Sequence, residues 1–182
     1  SNTTDTVNKD ATAPSGYSAS INQSLIDNSN ETALSFTFAS AETGASYSYS
    51  IDDTNGGTSA ITGSGTISTS TDTISGIDVS SLDDDTLTLT VYLTDTAGNQ
   101  GSNSTDTVNK DVTAPSGYSA SIDQSSINNS NKTALSFTFA SAETGANYNY
   151  SIDDTNGSTS AITGSGTIST TTDTISSIDV SD

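Results

Sequence analysis

The chain has 182 residues and a formal net charge of −19, with three lysines (Lys9, Lys110 and Lys132) and no arginine, histidine or cysteine. That balance argues against nucleic acid as a partner, because neutralising phosphates takes Lys and Arg, and against anionic membrane surfaces for the same reason. The missing cysteines exclude disulfides, thiolate catalysis and thiolate zinc, and no apolar run approaches a membrane span, so direct membrane insertion is not expected.

Residues 1–81 return as 102–182, an offset of 101 with twelve changes, nearly all between small or polar residues. A period of domain size means an array of domains, not a short-period solenoid. An enzyme needs its active site once, whereas duplication multiplies reach, stiffness or valency, so the chain reads as a non-enzyme. Residues 1–10 contain Thr4, Asp5, Thr6, Val7, Asn8, Lys9 and Asp10, which recur at 105–111. They read as the last strand of a preceding repeat, with 11–111 a complete repeat and 112–182 a partial one lacking its last two strands.

Seven strands are predicted in the complete repeat, at 16–21, 33–38, 45–51, within 59–67, 72–79, 86–94 and 104–108. Leu34, Phe36 and Phe38 alternate with Ser35 and Thr37; Tyr47, Tyr49 and Ile51 alternate with serines; Leu87, Leu89, Val91 and Leu93 alternate with Thr88, Thr90 and Tyr92. Period two puts one set of side chains in a core and the other in water. Leu, Ile, Val and Phe make up only roughly 17% of the chain, a level associated with disorder, but disorder has no reason to alternate. Turn chemistry lies at 52–57 and 95–99. The expected fold is all-β: tandem immunoglobulin-like antiparallel β-sandwich domains of about seven strands each, with 34, 36, 38, 47, 49, 51, 87, 89, 91 and 93 as the core.

The run from Ile77 to Val91 with its three aspartates Asp83, Asp84 and Asp85, then Asp95, Ala97, Gly98 and Asn99, then Asp111, Thr113, Ala114 and Pro115, resembles the bacterial Ig-like tandem repeats of giant type I-secreted RTX and biofilm-associated surface adhesins. Members of that family often carry glycine where this chain has Asp85. The resemblance implies an extracellular location on the bacterial cell surface, a stalk built of repeats, a role in adhesion or biofilm formation, and calcium at the junctions between units.

Pole geometry gives calcium a second, independent basis. In such a sandwich Asp10, Glu42, Asp95 and Asn99 fall at the pole where the chain comes in, and Asp52, Asp53, Asp83, Asp84, Asp85 and Asp111 at the pole where it leaves, with Glu143 offered by the next unit. Calcium takes six to eight hard oxygens in a tolerant geometry. Two carboxylates about 4 Å apart repel by roughly 4 kcal/mol at an effective dielectric near 20, so such a cluster is either splayed into water or bridged. The alternative is that aspartates in turns serve local backbone hydrogen bonds. There is no EF-hand spacing.

Lys9 and Lys110 close the last strand, where a buried lysine beside Asp or Asn can form an isopeptide bond; the ordinary reading is a solvated strand-end lysine. Asn30 and Asn131 head glycosylation sequons of the kind that arise by chance in a chain this rich in Asn, Ser and Thr. The threonines at 86, 88, 90 and 94 read as the wet face of a strand. The expected function is a structural extender in a cell-surface adhesin, whose partners are neighbouring repeats of the same chain, a distal host or surface ligand being bound by other domains. The alternatives are a glycan- or protein-binding Ig-like module, and a subunit of an extracellular filament or sheath completed by strands from neighbouring chains.

Overall fold

A computed structural model describes residues 3–157 and 159–181. The chain divides into two compact units, the first ending at Thr113 and the second beginning at Ala114.

The first unit holds β1 (Ser18–Ile21), β2 (Leu34–Ala39), β3 (Ser46–Asp53), β4 (Ile61–Thr66), β5 (Thr73–Ile77), β6 (Thr86–Thr94) and β7 (Ser104–Asn109), and no described residue is helical. All seven predicted strands are present, with ends shifted by at most two residues. Two antiparallel sheets, β1-β2-β5 and β4-β3-β6-β7, make the β-sandwich. The longest strand, β6, follows its sequence period without a break: Leu87, Leu89, Val91 and Leu93 are buried and every residue between them is half-exposed.

Eight of the ten expected core positions are buried; Tyr47 and Tyr49 are half-exposed. The reason lies in the edge strand opposite them. Tyr47 pairs with Gly65 and Tyr49 with Gly63, and each ring lies over its glycine, so that a Cβ on Gly63 would stand 2.5 Å from the Tyr49 ring. The tyrosines thus roof the sheet edge while meeting the core edge-on, Tyr49 with its ring centroid 5.4 Å from Phe36 and Tyr47 5.7 Å from Phe38. The rest of the core comes from connections that do not alternate: Ile26, Ile67, Val79 and Leu82 are all buried. Leu82 is an apolar plug directly before the three aspartates, and so carries their loop down onto the sandwich.

Residues 3–10 are exposed and form no strand, although their sequence matches that of β7. Val7 is 93% exposed where its equivalent Val108 is buried. The same residues become a strand at 104–109 because β6 lies alongside to pair with them, so neighbours decide here and intrinsic preference does not.

The second unit holds β8 (Ser119–Ile122), β9 (Leu135–Ala140), β10 (Asn147–Ile152), β11 (Ile162–Thr167) and β12 (Thr174–Ile178), in sheets β8-β9-β12 and β10-β11. Its register copies the first unit, Ala120 facing Phe139 as Ala19 faces Phe38. A core of Leu135, Phe137, Phe139, Ala142, Ile168 and Ile178 forms between them. The register shift of β5 on β2 recurs in β12 on β9, at a residue with positive φ: Gly76 at 72° in the first unit and Ser177 at 62° in the second.

Candidate functional site

The acidic loops at the pole where the chain leaves the first unit are the site the sequence singles out. Asp53, at the end of β3, is buried, and its carboxylate accepts the amides of Asn55 and Gly56 at 3.1 Å, the amide of Asp83 at 3.0 Å and the Thr58 hydroxyl. It closes its own turn and pins the next acidic loop. Asp52 accepts only the amide of Asp53. Asp85 accepts the Thr86 amide at 2.6 Å and the Thr54 hydroxyl, joining the same two loops from the other side.

Asp84 points the other way, onto the connecting segment. One of its oxygens accepts the Val112 amide at 3.0 Å and the other the Thr113 hydroxyl at 2.6 Å. Asn28 donates its side-chain amide to the Val112 carbonyl at 3.0 Å, and Asp111 accepts the Thr113 amide at 3.2 Å. Four hydrogen bonds therefore hold two linker residues, which is why the compact unit runs to Thr113, two residues past the boundary drawn from the repeat.

Lys110 completes this pole and departs from the solvated strand-end lysine expected of it. Its side chain is buried; Nζ donates to the carbonyl of Leu82 at 2.6 Å and of Ser80 at 3.3 Å, and lies 3.4 Å from Oε2 of Glu31. Nearby, the Lys110 amide donates to the Asp85 carbonyl, and Ile26 and the end of β7 exchange two backbone hydrogen bonds. An ammonium taken out of water needs such partners. Here they lock the β5–β6 connection, the acidic loop included, against the end of β7.

At the opposite pole, Asp95 is buried and accepts the amides of Ala97 and Asn99 and the Asn99 side-chain amide, all at 2.8–2.9 Å. Asn99 reaches from there to the Asp10 carbonyl at 3.4 Å, and the Asp10 carboxylate accepts the Thr12 amide. Glu42 is exposed in the β2–β3 connection, as is Glu143 at the equivalent place in the second unit. Tyr17 ties this end together, its hydroxyl accepting the Leu93 amide at 3.1 Å and donating to the Ser102 carbonyl at 2.5 Å.

These donors set the charge state. The Asp53 carboxyl is held below the ordinary aspartate range chiefly by Thr58, that of Asp84 by Thr113, that of Asp85 by Thr54 and that of Asp95 by Asn99. Groups held ionised in this way are poor proton donors near neutrality. They also fit a calcium cage badly within either unit. Among the described residues no three acidic side chains are gathered closely enough to hold a metal ion, and the oxygens an ion would need already accept N–H and O–H donors.

The sequence marked Asp53, Asp84, Asp85, Asp95, Asn99 and Asp111 by type and loop, but not Lys110, Glu31, Asn28 or Tyr17. One signal was available for Lys110: within 11–111 it is the only basic residue.

No family model matches the chain, and no curated protein matches it. Among solved structures it is similar to a tetra-tandem repeat in the extending region of a large adhesion protein, at 19% identity and a TM-score of 0.39, over 91% of this chain and 42% of that one. It is also similar to the FN1–FN3 domains of chicken CNTN1, at 11% identity and a TM-score of 0.39, over 93% of this chain and 55% of that one. The chain spans about half the length of each. No described helix is long and apolar enough to cross a membrane.

Proposed function

We propose that the chain is a spacer: a run of β-sandwich repeats that sets distance in an extracellular bacterial surface adhesin, the setting implied by the family resemblance of its motifs. The observation that carries this reading is the anchored linker. Val112 and Thr113 are fastened to Asp84, Asn28 and Asp111, so the direction in which the chain leaves the first unit is fixed by the sandwich itself. Pro115 follows, with its φ fixed near −65° and the residue before it confined to extended backbone. A chain that leaves each sandwich on a set course transmits position along an array. The near-identity of the two copies supports the same reading, since a binding surface needs only one specialised unit.

Calcium enters this proposal differently from the way the resemblance implies. An ion at the first unit's exit would have to displace the Val112, Thr113 and Asp83 donors from their carboxylates, so we assign the stiffness of the exit to those hydrogen bonds. The reading also makes the chain a non-enzyme in adhesion, whose aspartates are structural acceptors.

The test is to fuse a well-characterised binding domain to arrays containing increasing numbers of the 11–111 repeat on a bead surface. A spacer extends the distance at which beads capture ligand in proportion to repeat number and leaves the binding domain's solution affinity unchanged. Saturable binding of glycans or surface proteins by the repeats alone contradicts it.

A further inference from the structure

The second unit carries an apolar face whose counterpart in the first unit is covered by β6 and β7. Ile127 is 42% exposed where its equivalent Ile26 is wholly buried, and Ile122 and Tyr118 are more than half exposed. Two depressions of about 430 and 590 Å³ open within the unit, the first lined by Phe137 and Phe139 and the second by Leu135, Ile152 and Val180. Because β8 and β9 repeat the register of β1 and β2, the face has the form that Leu87, Leu89, Val91 and Leu93 fill in the first unit. The first unit therefore shows what covers such a face: a two-stranded hairpin with an aliphatic residue at every second position.

One charge differs between the two faces. Glu31, which receives the buried Lys110 in the first unit, is replaced at the equivalent position by Lys132. The backbone around it is unchanged, the Val180 amide donating to the Lys132 carbonyl as the Val79 amide does to that of Glu31. A hairpin that ends in lysine would set one desolvated ammonium against another on this face, whereas a carboxylate at that place would be paired.

From this we infer that the open face of the second unit is a docking site for a β-hairpin of the β6–β7 pattern that carries Asp or Glu where β7 is followed by Lys110. The Glu31-to-Lys132 reversal then assigns hairpins to sandwiches. Two nearly identical acceptors could otherwise exchange their closing strands, and a repulsive contact against the wrong partner is the usual protection.

The test titrates the full chain with three labelled synthetic peptides: residues 82–111 unchanged, the same with Lys110→Glu, and the Lys110→Glu peptide also carrying Leu89→Ser and Leu93→Ser. Binding is followed by fluorescence anisotropy, and its place by hydrogen exchange. The Lys110→Glu peptide is expected to bind at least tenfold more tightly than the unchanged one and to slow exchange in 119–122 and 147–152, while the serine peptide does not bind. In the Lys132→Glu chain, which restores the residue type of the first unit at that position, the preference is expected to invert. Equal affinities, no binding by any peptide, an order unchanged in Lys132→Glu, protection outside the second unit, or self-association of the chain that hides the face without peptide would each overturn the inference.

Discussion

Asp84 accepts the backbone amide of Val112 from 28 residues away, at 3.0 Å, with its second oxygen on the Thr113 hydroxyl. A loop aspartate thereby governs the first two residues of the segment between two sandwiches. Replacing it tests that role. Asp84→Ala is expected to lower stability by about 1–2 kcal/mol, the scale of losing a charged acceptor from partly exposed bonds. It is also expected to speed hydrogen exchange at the Val112 amide well beyond the general effect, and unchanged exchange there would remove the anchor.

The glycines of β4 leave room for the tyrosine rings. Gly63→Ala puts a Cβ where the Tyr49 ring lies, so the ring has to leave its edge-on contact with Phe36. The expected cost is about 1–3 kcal/mol, the usual penalty for overpacking. In a Tyr49→Ala background the same substitution is expected to be nearly neutral. Chemical denaturation of the four chains of this cycle measures the coupling.

Ser177 shows the opposite case. It holds φ at 62° in the bulge of β12, where the first unit has Gly76 at 72°. An L side chain is strained there, so Ser177→Gly is expected to stabilise the second unit by up to about 1 kcal/mol and Gly76→Ser to destabilise the first by a similar amount. Exchange rates at β9 and β2 report on the two units separately.

Legibility in the sequence followed how far a residue's role depends on distant partners. β6 could be read to the residue because its nine positions alternate without a break and burial follows the pleat. Tyr47 and Tyr49 alternate too, yet they are only half-buried, since the glycines that receive them belong to another strand. The acidic residues at the poles were legible as turn residues. That Asp84 faces Val112, or that Lys110 turns inward to Leu82 and Glu31, depends on the packing of segments 28 or more residues apart. Residue type carries no record of which amide it meets.

Acid is expected to weaken the first unit. Asp53, Asp84, Asp85 and Asp95 have folded-state pKa values depressed by their hydrogen bonds, while in the unfolded chain aspartate titrates near about 3.9. The unfolded state then binds more protons across that interval, so the contribution is full above pH of about 4 and is lost as pH falls through the depressed values. Urea midpoints are expected to hold steady from pH 7 to 5 and to fall by pH 3. A midpoint that rises towards pH 3 would mean that relief of the −19 net charge outweighs these bonds.

Small-angle scattering of the full chain in chelator and in millimolar calcium, beside Asp84→Ala, addresses the spacer directly. If hydrogen bonds from Asp84 and Asn28 fix the exit of the first unit, the maximum dimension and the rigidity of the profile in chelator match those in calcium, and Asp84→Ala broadens the distance distribution in both. A chain that is flexible in chelator and extends only when calcium is added would contradict the account.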